Sequence, residues 1–152
     1  MMMPSIHEME LLDDLVRTNL DVEAAFTVCA HKTENEQLCA MLLARALVCG
    51  QAARELKEKL NERGCEVHEE AITKSIKDAP DWVALQAALA EHDDIALREE
   101  CARTEDETLV RFRDALEHEL PQDIRRAIES HFAALLQYCG RLRKLRLSST
   151  AS

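Results

Sequence analysis

The sequence predicts an all-α chain folded as a four-helix bundle, with two antiparallel hairpins joined by one long crossover that contains a short extra helix. Three observations predict it. Ala, Leu, Glu and Arg dominate the 152 residues, whereas Gly and Pro number three each and aromatics make up 3%. Such a chain is rich in helix formers and poor in material for strands and turns. Apolar residues recur at three–four spacing over four long stretches, as amphipathic helices require. The links between those stretches run short, long, short. One domain over residues 1–147 suits this length, and the small polar tail 148–152 is expected to fray.

The first helix is predicted over residues 6–31. Ser5 followed by Glu8 is a capping box, in which hydroxyl and carboxylate each take one orphan backbone N–H. One stripe is Leu12, Val16, Asn19, Glu23, Phe26 and Ala30; a second, beside it, is Leu11, Leu15, Thr18, Val22, Ala25 and Cys29. Together they make a broad inner face. The second helix is predicted over 34–63, with Thr33 and Glu36 as another capping box. Its seam of Leu42, Ala46, Cys49, Ala53, Leu56 and Leu60 carries no charge. Gly64 stands where a helix end favours a left-handed residue. So short a link between the first two helices forces them antiparallel and adjacent.

Residues 65–93 differ. A charged, mixed part comes first; Pro80 then opens a shorter helix with Trp82, Leu85, Ala88 and Leu89 on one face, expected to dock its Trp on the bundle. The next helix begins at Asp93 or Asp94, either of which can cap it, and continues to His118. Its stripe is Leu97, Cys101, Glu105, Thr108, Phe112 and Ala115. Pro121 is expected at the first position of the last helix, which runs to Leu147 with Ile124, Ile128, Leu135, Leu142 and Leu145 on one face. Two hairpins and one crossover are the connectivity of ferritin-like bundles; plain up-down bundles have no crossover.

Charge and composition exclude several function classes. The net charge of −10 repels phosphate backbones and anionic lipid, so neither nucleic acid nor a membrane surface is an expected partner. Arg141, Arg143, Lys144 and Arg146 read as cations that complement the dipole of the last helix. No apolar run is long enough to span a bilayer, and Met1–Pro4 precede no leader-like segment, so a cytoplasmic location is expected. No pair of the six cysteines has C-x-x-C spacing. Five lie in predicted helices, where a free Cys acts as a small hydrophobe. Cys65, after Gly64, is the expected exposed thiol. Three glycines cannot build a phosphate or dinucleotide loop, and no nucleophile motif occurs. His7, His31, His68, His92 and His118 fall at expected surfaces or helix ends. No catalytic or cofactor-binding residue is assigned.

One constellation bears on chemistry. Di-iron bundles use four carboxylates and two imidazoles, one Glu from each of two helices and one Glu-x-x-His from each of the others. Glu23 and Glu105 lie on inner stripes, where a carboxylate is costly unless paired, ligated or wet. Glu55 and Glu58 on the second helix have the spacing but no His, and His131 has Ile128 three residues earlier. Glu23, Glu55, Glu58 and Glu105 are therefore the candidate ligands for iron or manganese. The alternative places Glu23 and Glu105 at the edge of the apolar face, paired with water or with an arginine such as Arg45, Arg103 or Arg111, and no cofactor is then expected.

Glu99 to Asp106, Arg111 to Leu116, Leu120-Pro121 and Arg141 to Leu145, together with Leu20 to Phe26, resemble an uncharacterised bacterial ferritin-like four-helix-bundle family classed as a domain of unknown function. The resemblance implies the ferritin-like fold and no established activity. Two functions compete. The preferred one is a non-enzymatic, stress-related or regulatory bundle that acts through a homodimer or another protein partner, using an apolar patch on the first or second helix. The other is a divergent carboxylate metalloprotein. Ligand binding inside the bundle core ranks last, because Ala-rich seams leave little void.

Overall fold

The computed structural model describes residues 5–65, 80–145 and 147. The charged part of the crossover, His68, Arg146 and the tail 148–152 lie outside the described residues. Five helices and no strand occur among the described residues: α1 (Ile6–Lys32), α2 (Glu36–Glu62), α3 (Pro80–Ala90), α4 (Asp94–Leu116) and α5 (Gln122–Lys144).

Local chemistry sets the helix ends. Ser5 and Glu8 form the expected reciprocal box, with the Ser5 N–H donating to Glu8 Oε1 at 2.7 Å and the Glu8 N–H to Ser5 Oγ at 3.1 Å. The second expected box does not form. Asn35 caps α2, its side chain accepting from the Leu38 N–H at 2.9 Å. Thr33 instead ends α1 and donates its hydroxyl to Asp94 Oδ1 at 2.7 Å. Asp93 caps α4 through Ala96. Pro121 is the cap of α5 rather than its first residue. That helix stops at Lys144, short of the expected end, because Leu145 is extended and its carbonyl accepts from Arg98 Nη1 at 2.5 Å.

The end of α2 corrects a further expectation. Gly64 adopts φ +75°, and the chain folds back so that Gly64 donates to the Asn61 carbonyl and Cys65 to that of Leu60. In this paired-bond helix end the residue after the glycine packs inward against the last turn. Cys65 is accordingly buried and not an exposed thiol.

The four long helices pack around one core. α1 lies against α2, α4 against α5, α1 beside α4 and α2 beside α5, while α3 covers the flank formed by α4 and α1. Polar contacts give the directions. Thr33 at the end of α1 meets Asp94 at the start of α4, and Arg111 late in α4 reaches Asp14 early in α1 at 2.5 Å. Arg63 after α2 grips Asp123 at the start of α5 at 2.6 and 3.2 Å. Neighbours therefore run antiparallel, and the diagonal pair α2 and α4 runs parallel. Phe26, Leu42, Leu56, Phe112, Ile124 and Ile128 are among the fully buried side chains, each stabilising the fold by about 1.5–3 kcal/mol. Trp82 of α3 docks half-buried at the edge of this core.

Candidate functional site

The centre of the bundle holds an ion pair. Arg45 on α2 is 4% exposed and Glu105 on α4 is 0% exposed. Arg45 Nε donates to Glu105 Oε2 at 2.6 Å across the diagonal of the bundle. The guanidinium carbon lies 5.8 Å from the centroid of the Tyr138 ring on α5, within range of a cation–π attraction. Arg45 belongs to an uninterrupted inner stripe, Leu38, Leu42, Arg45, Cys49, Ala52, Leu56, every member of which is buried. Its neighbours hold its shaft in apolar surroundings while its head finds the one type of partner such burial tolerates.

The electrostatics are those of a closed core. Burial pushes the Glu105 carboxyl above the ordinary carboxylate range, although Arg45 beside it pulls the other way. Burial opposes the Arg45 cation, but Glu105, together with Cys49 and Tyr138, outweighs it, so the guanidinium stays charged. Burial also drives the Cys49 thiol up to about 12 and the Cys139 thiol up to about 11. The Tyr138 phenol is raised by burial and by Glu105. Cys101 is raised by its hydrogen bond with Cys29, the same bond that lowers Cys29 across the α1–α4 seam. Thiols held protonated are poor nucleophiles and poor ligands. Arg45 Nη2, Glu105 Oε1 and the Tyr138 hydroxyl are buried without a hydrogen-bond partner. Asn19 is fully buried as well, and donates Nδ2 to the Leu15 carbonyl at 2.8 Å.

The four carboxylates singled out from the sequence are not brought together. Glu105 is fully buried and faces Arg45, rather than lying at the edge of the apolar face. Glu23 is half-buried at the α1–α2 groove, 3.8 Å from Arg54 Nη1. A Cβ on Gly50 would fall 1.7 Å from Glu23 Oε2, so the missing side chain makes room for that carboxylate. Glu55 meets His131 Nε2 at 3.0 Å on the outside of the α2–α5 seam. Glu58 is exposed on the outer face of α2. Arg103 pairs with Glu100 and Glu107, and Arg111 with Asp14. No group of three or more His, Cys, Asp or Glu converges on one point among the described residues. The residues as placed do not fit a set of four carboxylates and two imidazoles: one carboxylate already holds a guanidinium and three lie on outward faces.

A second feature lies on the surface. Leu43 and Leu47, one turn apart in the middle of α2, are 41% and 59% exposed. They border a shallow depression floored by Ala24, Thr27 and Ala46, with Glu23 at its edge. Arg54 stands two turns further along α2. No helix among the described residues is long and apolar enough to cross a membrane.

Helices, a sealed polar centre and an open apolar face define an all-α protein without a converging catalytic set among its described residues. Residues 7–118 match the family described as domain of unknown function DUF2383, and the chain belongs to that family. The match covers α1 to α4 and ends before α5. No curated protein matches the chain.

Proposed function

We propose that this chain is a cytosolic, ferritin-like four-helix bundle that works by association rather than catalysis, as a stress-related or regulatory protein, and that its partner is a second copy of itself. The directions of the helices support the ferritin-like reading: neighbours are antiparallel, while α2 and α4 are parallel, as in bundles with one long crossover. The sealed centre supports a non-enzymatic role, because Arg45 uses the inner carboxylate that a reacting group or ion would need.

The observation that carries the proposal is the exposed Leu43–Leu47 pair on α2. Two leucines side by side in mid-helix lose contact with water only through an outside surface. The face is also self-complementary. An apolar centre is flanked by the anionic Glu23 and the cationic Arg54, which is 63% exposed and only loosely held at 3.8 Å. Two copies related by a twofold axis would stack leucines centrally and exchange these charges, as an isologous interface requires. α2, 27 residues long, offers about 40 Å of contact length.

Sedimentation across a wide concentration range tests this. A concentration-dependent dimer is expected, and Leu47→Glu should weaken it by at least about 2 kcal/mol, the scale of an interface anchor. A strict monomer, or a dimer indifferent to Leu47→Glu, sinks the proposal.

A further inference from the structure

Cys29, in the last turn of α1, and Cys101, two turns into α4, meet across the seam between the two hairpins. Both are free thiols and both are 0% exposed. A hydrogen bond joins them, so each sulfur is the immediate neighbour of the other. One turn beyond Cys29, the Thr33 hydroxyl donates to Asp94 at 2.7 Å and holds the end of α1 against the start of α4. Packing and register thus both fix the pair.

The two sulfurs are not equivalent. The Cys101 S–H donates and the Cys29 sulfur accepts. This bond holds the Cys101 proton more tightly and lowers the Cys29 thiol, with Lys32 helping and burial opposing. Thiolate is the form that attacks an oxidant, and a lowered thiol supplies more of it. The Cys49 and Cys139 thiols, raised by burial, do not share this advantage. Complete burial of the pair keeps out bulky oxidants. Hydrogen peroxide is small, and the end turn that carries Cys29 is the part of a helix that opens most readily.

We propose that Cys29 and Cys101 form a reversible disulfide when the protein meets hydrogen peroxide, locking the first hairpin to the second. The Cys29 sulfur attacks one peroxide oxygen. The O–O bond breaks, Cys29 becomes a sulfenic acid, and the displaced hydroxide leaves as water with the Cys29 proton. The Cys101 sulfur then attacks the Cys29 sulfur. The S–O bond breaks, the S–S bond forms, and the hydroxyl leaves as water with the Cys101 proton. Two thiols are oxidised and one peroxide is reduced to two waters. A dithiol reductant reverses the link by exchange. The bond lies within one chain, so it is independent of association through α2.

The reduced full chain is treated with hydrogen peroxide, quenched with a thiol-alkylating reagent and digested without reductant. A peptide linking Cys29 to Cys101 is expected, lost on adding dithiothreitol. It should exceed every other cysteine pairing by at least about tenfold, because these two sulfurs are already held together. In urea that preference should vanish. Cys101→Ala removes the second sulfur, so Cys29 should stay a sulfenic acid that dimedone captures when the oxidised variant is denatured. Should that variant fold poorly, the peptide map of the unaltered protein decides the matter alone. Thiols that stay reduced in the folded chain, a preference for another pair, or a Cys29–Cys101 link that forms only after unfolding overturns the assignment.

Discussion

Glu105 on α4 and Asp21 on α1 are both withdrawn from water, and the molecule treats them differently. Glu105 is completely buried and receives a guanidinium at 2.6 Å. Asp21 is half-buried, keeps an unpartnered Oδ1, and is pushed up to about 6, chiefly by burial, with Arg111 and Arg17 pulling down and Asp14 adding to the rise. The contrast separates a fully buried carboxylate held by a guanidinium at 2.6 Å from a half-buried one whose proton burial holds more tightly.

The largest expected effect breaks the first half of this contrast. Arg45→Met leaves Glu105 buried and alone, and should cost about 3–5 kcal/mol in urea unfolding. The double change Arg45→Met plus Glu105→Leu should recover most of that loss, because apolar groups of similar volume replace a buried pair at little net cost. A single variant that loses under about 1 kcal/mol would show that water or another group reaches Glu105.

Asp21→Asn sharpens the second half and is smaller. The native carboxyl binds its proton more tightly than the unfolded one. Its stabilising contribution is therefore complete below about 4 and lost as pH rises through about 6. The amide does not ionise, so the variant should melt about 2–4 °C above the parent at pH 7, after allowing for solvent screening of a half-exposed group. At pH 4 the two should melt together. A difference that persists unchanged at pH 4 refutes the assignment of that titration to Asp21.

Smallest is Gly50→Ala, which probes a third carboxylate. The new methyl collides with the end of the Glu23 side chain, a flexible group that can swing outward. Helix propensity then gains up to about 1 kcal/mol, offset by the loosened contact with Arg54. Calorimetry should show a melting point equal to or slightly above the parent. A loss beyond about 1 kcal/mol would mean that Glu23 is held far more firmly than its exposure suggests.

Elements with local causes were legible in the sequence. The Ser5–Glu8 box, the Asp93 cap, Gly64 at the end of α2, and the inner stripes of α1, α4 and α5 all depend on residues within one or two turns of each other. What escaped depends on distant partners. Thr33 reads as a cap because Glu36 follows at the right spacing, yet its hydroxyl is drawn to Asp94, 61 residues away, and Asn35 takes its place. Cys65 reads as exposed because it follows a glycine, and the fold-back of that glycine buries it. Arg45 sits one residue before Ala46 in a seam that reads as uncharged. The stripe Leu38, Leu42, Arg45, Cys49 was the available signal, and an arginine in such a stripe predicts a buried acid opposite. Tyr138, between Leu135 and Leu142, was readable in the same way.

The pairing of Arg45 with Glu105 also bears on how the halves of the molecule find each other. The two residues are 60 positions apart and belong to different hairpins, so neither hairpin contains a complete pair. Each half carries an ion that water satisfies while the halves are separate. Apolar seams of Leu and Ala tolerate sliding, since one turn further along they meet similar residues. A slip of one turn is about 5.4 Å, enough to strand the guanidinium and the carboxylate in apolar surroundings without each other. The charge pair thus works as a key for alignment: it adds little to the strength of the docked state, and it makes every misaligned state dear.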